Sequence, residues 1–110
     1  MNTKVSYLYR DACNYKTFHE VVLAGVIGED DIKPLLKDET FFVPSEVGLP
    51  DLQQADFGVD DHIWHEIVSI SKTDEEPSLS IRASDFLKRF RLASQANWNE
   101  YAVFKRKGLT

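Results

Sequence analysis

Residues 60–71, DDHIWHEIVSIS, decide the fold. On a helix, His62 and His65 would meet on one face, because three residues nearly complete a turn. On a strand they point to opposite faces and cannot share an ion. Ile63, Trp64, Ile67, Val68 and Ile70 are β-branched or aromatic, so residues 63–71 are predicted to be extended. His65 then faces with Ile63 and Ile67, and Glu66 with Trp64, Val68 and Ile70. One of these two polar groups therefore lies on an apolar side. An unpaired buried charge is costly, so a partner is expected. Arg10 is one candidate, a second molecule covering that face is another, and a solvent-edge place for Glu66 over Trp64 is a third.

Working outward, residues 4–11, KVSYLYRD, alternate with a period of two and read as a strand, with Val5, Tyr7 and Tyr9 on one side. DACNYK supplies a turn, and TFHEVVLAG a second strand that pairs with the first as a hairpin. EDDIKPLLKDET reads as a short amphipathic helix from Asp30 or Asp31 to Asp38, with Pro34 confined to its first turn. Phe41 to Val47 is an edge or bulged strand, because Pro44 cannot donate to a ladder. GLPDLQQADFGVDD is a loop with room for one helical turn at Pro50–Gln53. Ser84 or Asp85 caps a last helix whose face is Phe86, Leu87, Phe90 and Ala93, ending near Asn97 in a less regular tail; the alternatives are a helix continued through Trp98, Tyr101 and Phe104, or a short strand or partner-packing arm at Tyr101–Lys105. The predicted order is β-β-α-β-β-α. The fold is α+β, with two helices on one face of a four-stranded, largely antiparallel sheet in a single domain over residues 1–110.

FHEVVL at 18–23 echoes WHEIVS at 64–69, each on the second strand of a hairpin. Duplication would make His19 equivalent to His65 and Glu20 equivalent to Glu66, and a pseudo-two-fold sheet would bring the pairs together.

The net charge is −5, unevenly spread. From Arg82 onward seven basic residues face two acidic ones, which leaves −10 for the first 81 residues. Such an asymmetry can steer a partner; attraction between acidic loops and the basic end, within one molecule or across a homodimer, is the plainer expectation. The overall acidity argues against nucleic acid, which needs several uncompensated cations on one surface. One cysteine, Cys13, excludes an intramolecular disulfide. The first residues have no apolar signal core, and no run of apolar residues is long enough to span a membrane. A cytoplasmic protein is expected.

No Gly-rich phosphate loop, serine elbow or paired-cysteine motif is present, and no cofactor is indicated. Imidazole titrates near neutrality, so His65 beside Glu66 or Asp61 is the candidate acid–base pair. His62 and His65 are the candidate metal ligands, requiring a bulge to meet and lacking a third ligand at a recognisable spacing. His62 could also fold back with Asp60 or Asp61. The plain alternative for His65 is a half-buried strand histidine bonded to a carboxylate or backbone oxygen. Arg10, Asp11, His19, Glu20 and Trp64 are the candidate binding residues, Arg10 and Asp11 being flanked by Tyr7, Tyr9 and Tyr15. Cys13 in its turn and the acidic run at 74–77 are weaker candidates. A binding or regulatory role is expected ahead of catalysis, with a small enzyme and a nucleic-acid accessory as alternatives.

YRDACNYK at 9–16, DDHIWHEI at 60–67 and KTDEEP at 72–77 together resemble a group of short bacterial proteins. Those carry Tyr-Arg-Asp-Ala-x-Asn-Tyr-Lys early, here with Cys13 at the variable position, and Trp-His-Glu later, after acidic residues. The resemblance runs from Tyr9 to about Pro77, leaving the basic C-terminal third outside it. It implies a compact bacterial domain and brings no activity, cofactor or substrate.

Overall fold

The computed structural model describes residues 1–53 and 61–108. Its strands are β1 (Asn2–Arg10), β2 (Lys16–Ala24), β3 (Phe41–Phe42) and β4 (His65–Thr73), and its α-helices are α1 (Glu29–Ile32), α2 (Ala83–Gln95) and α3 (Glu100–Lys107). The four strands form one antiparallel sheet in the order β2-β1-β4-β3. This is an α+β architecture. The most alternating strand, β1, lies between β2 and β4. Val5, Tyr7 and Tyr9 point into the core beneath Phe86 and Phe90 of α2, and are buried. Phe90 ties the layers together: its ring stacks on Phe42 at 5.6 Å and meets Trp98 edge-on at 5.2 Å.

The long extended segment begins at His65, two residues later than predicted, and contains a bulge. Tyr7 pairs with Ile67, but Ser6 pairs with Ser69, so Val68 is the extra residue. The bulge reverses the alternation beyond it. Ile70 therefore joins Ile67 on the core side and is buried, while Val68 is pushed into solvent. The expectation that Ile70 shares a side with Glu66 and Val68 is corrected by this one inserted residue.

Other elements differ from expectation for local reasons. The first helix stops at Ile32 and tightens into a 3₁₀ turn at Lys33–Leu35, with Pro34 early in that turn, where its missing N–H costs nothing. Strand β3 has two residues, because Pro44 opens a second 3₁₀ turn at Pro44–Glu46. Residues 50–53 form no helical turn. Helix α2 starts at Ala83, without a side-chain cap from Ser84 or Asp85. The tail, expected to be less regular with helix as one alternative, is a third helix, separate from α2. Asn97 and Trp98 take positive φ angles of 54° and 49° and break the chain, and the Asn99 side chain accepts from Ala102 N–H to cap α3.

The sheet order does not have the symmetry of a duplication. Exchanging the first hairpin with the second would need β1 and β3 in like positions, yet β1 is central and β3 is an edge. Among the described residues, no helix is long and apolar enough to cross a membrane.

Candidate functional site

The two stretches that drew attention in the sequence meet at the end of β1. Tyr9 pairs with His65 across the ladder, which sets Arg10 beside the lead-in to β4. Asp11 closes the turn after β1, its Oδ1 accepting from the N–H groups of Cys13 and Tyr15. That turn presents Asn14, at φ 66°, whose Oδ1 accepts from Arg10 Nη1 at 2.9 Å.

Arg10 is the partner that Glu66 requires. Its Nε donates to Glu66 Oε2 at 3.1 Å, and Nη2 lies 3.5 Å from Oε1. This forked pair sits on the sheet side away from α2, and Phe41 stands opposite Glu66 on β3. Arg10, Asp11, Phe41, His62, Trp64 and Glu66 line a concavity of about 520 Å³. Three of the five predicted binding residues, Arg10, Asp11 and Trp64, therefore converge. The other two, His19 and Glu20, lie in a separate concavity of about 480 Å³ beside Phe18 and Val68.

The histidines diverge. His65 is 1% exposed. Its Nδ1 lies 3.1 Å from the carbonyl of Ile63, and its Nε2 accepts from the N–H of Leu52 at 3.1 Å. A ring protonated at Nδ1 satisfies both. His62 uses the opposite tautomer. Its Nε2 lies 2.7 Å from the Arg10 carbonyl, and its Nδ1 accepts from Trp64 N–H at 3.0 Å. Both rings pack against the Tyr9 ring, each with its centroid 5.1 Å away. His19 packs edge-on against Tyr7 at 5.9 Å, on the far side of the sheet centre. Among the described residues, no three His, Cys, Asp or Glu side chains are grouped to hold a metal ion. Asp60 lies outside the described residues.

The candidate acid–base pair does not come together. His65 points into the core and Glu66 outward, as neighbours on a strand must. Asp61 accepts from the Tyr9 hydroxyl at 2.8 Å, and that hydroxyl in turn accepts from His62 N–H at 3.2 Å. Burial pushes the Tyr9 hydroxyl up to about 12; the His62 N–H opposes this and the Asp61 carboxylate adds to it. A neutral phenol donating to a carboxylate is a fastening of the 61–64 segment to β1.

Asp51, unremarked in the sequence, carries a strongly lowered carboxyl. Burial works to raise it but is outweighed by the Lys107 ammonium and the Gln53 N–H, which hold it well below the usual aspartate range. Its Oδ1 lies 3.3 Å from His65 Nε2, and Lys107 Nζ donates to Oδ2. Since His65 Nε2 already accepts from Leu52, the Lys107 ammonium is the cation that keeps Asp51 ionised. Phe41 was also missed. A phenylalanine pair before a proline reads as edge strand, and nothing local reveals that it will face Glu66.

No family model matches this chain, and no curated protein or solved structure is significantly similar to it.

Proposed function

We propose that the chain is a small single-domain binding module of the bacterial cytoplasm, acting as a homodimer, whose ligand or protein partner docks in the concavity around Arg10, Trp64 and Glu66. The observation that carries this is the convergence of residues from β1, β3 and the lead-in to β4 on one hollow that is both aromatic and charged. Its volume falls within the range common for small-molecule sites. Trp64 and Phe41 offer flat apolar surface, and the Arg10–Glu66 pair offers both a donor fork and a carboxylate. A partner group with an apolar ring or chain and a polar end fits that combination.

The enzyme reading is weaker. His65 is enclosed and His62 has both ring nitrogens engaged, so neither has a nitrogen left to exchange a proton with a substrate in this arrangement. The nucleic-acid reading is weaker too. Arg106 pairs with Glu46 and Lys107 with Asp51, which cancels part of the basic tail. Phe90 and Trp98 are buried and cannot stack on bases.

An aromatic fragment library followed by amide NMR on isotope-labelled protein tests the binding reading. Fragments should shift the amides of Phe41, His62, Trp64 and Glu66 together, and Trp64→Ala should abolish those shifts. Shifts scattered over the surface, or clustered elsewhere, would overturn it.

A further inference from the structure

Strand β2 is an edge of the sheet, and its two halves are treated differently. The later half is covered. Val22 N–H donates to Ser78 Oγ, Val22 carbonyl accepts from Ser78 N–H, and Ala24 bridges to Arg82. The earlier half, Lys16–Glu20, is exposed at every residue. The Val22 bonds also fix which backbone groups face outward. In a regular strand the N–H and C=O of one residue point the same way and alternate along the chain. The β1–β2 register is unbroken from Asn2–Ala24 to Arg10–Lys16. Lys16, Phe18 and Glu20 therefore turn their backbone groups outward, as Val22 does.

From this edge we infer that two copies of the chain pair through residues 16–20, antiparallel and centred on Phe18, to form one continuous sheet. The stretch KTFHE is complementary to itself in that register. Phe18 meets Phe18 of the second copy, and the two exchange both backbone bonds. Lys16 meets Glu20 on each side, again as a backbone-bonded pair, with opposite charges adjacent on one face. Phe18, 64% exposed in the single chain, becomes covered. Glu20 is already positioned by the Ser6 hydroxyl, which donates to its Oε2 at 2.9 Å. A two-fold axis relates the copies, as expected for an isologous dimer. Exposed edges are liabilities that proteins pair, cover or charge. Here one half is covered and the other carries charges that repel a misregistered strand and attract this one.

This deepens the homodimer part of the proposed function and leaves the concavity around Arg10 untouched. Light scattering and sedimentation over a concentration series test it. The wild type should show a dimer whose population rises with concentration, since a five-residue ladder makes a small interface. Lys16→Glu sets like charges opposite each other twice and should weaken the dimer roughly ten- to thirtyfold. Adding Glu20→Lys reverses both signs and should restore it, an outcome that general damage to the fold cannot mimic. Phe18→Asp, at an exposed position, should yield folded monomer. A wild type monomeric at about 1 mM, or a dimer indifferent to Lys16→Glu and Phe18→Asp, would overturn the inference. Fragment shifts at Trp64 on the same samples report separately on the concavity, so either reading can fail alone.

Discussion

At the residue scale, His65 and His62 show how a catalytic-looking pattern can be structural. A strand entering a sheet leaves backbone groups of the preceding loop without ladder partners, and they need another partner if buried. His65 satisfies Ile63 and Leu52, and His62 satisfies Arg10 and Trp64. His65→Ala would leave the Leu52 N–H and Ile63 carbonyl unmet beside a cavity, at a cost of about 2–4 kcal/mol by urea denaturation. The Arg10–Glu66 pair is different. Arg10 and Glu66 side chains are 40% and 23% exposed, so a double-mutant cycle should find a coupling of about 1 kcal/mol or less. In the proposed binding role, the pair serves to place the fork in the hollow. Asp51 sets a pH dependence. Its folded carboxyl titrates below its unfolded value, so it stabilises the fold at pH above the usual aspartate pKa of about 4 and loses that contribution as pH falls further. Acid titrations followed by circular dichroism should show wild type losing stability below about pH 4 more steeply than Asp51→Asn. His65 was readable as a strand histidine from its neighbours. Asp51 was not, because its partners Lys107 and His65 are remote in sequence.

At the element scale, periodic burial revealed β1 and α2, while β2 and β4 were legible from their branched and aromatic residues. What escaped notice depends on contacts the local sequence does not contain. The bulge at Val68 exists because Tyr7 pairs with Ile67 while Ser6 pairs with Ser69, a matter of register between remote strands. Helix α3 is short and weakly amphipathic, and forms where Asn99 caps it and Val103 finds the core. Asn99→Ala should cost about 1 kcal/mol, measured as a lower midpoint in denaturant. Gly48 is the sharper test of how closely the layers approach. It sits at φ +87°, and an added Cβ would lie 2.5 Å from Ile81 Cδ1. Gly48→Ala combines backbone strain with a clash and should destabilise by more than about 1 kcal/mol. Gly108, also at positive φ but with nothing near its Cβ position, provides the control for strain alone.

For the whole molecule, the excess of acid in the first part and of base in the last is resolved partly within the chain. Helix α3 brings Arg106 to Glu46 and Lys107 to Asp51. The charge split was plain in the sequence. Which charges meet was not, because it depends on the turn at Asn97–Trp98 that aims α3. The candidate site divides in the same way. Arg10, Asp11 and Trp64 could be singled out by residue type, but their convergence required the β1–β4 register, and Phe41 enters through pairing across β4. The account rests on two imidazoles fastened in opposite tautomers against Tyr9. Long-range ¹H–¹⁵N correlation of the imidazole rings at neutral pH reads this directly. It should show His65 protonated at Nδ1 and His62 at Nε2, with neither pattern altered by added Zn²⁺. Rings averaging between tautomers, or both shifting together on addition of Zn²⁺, would contradict it.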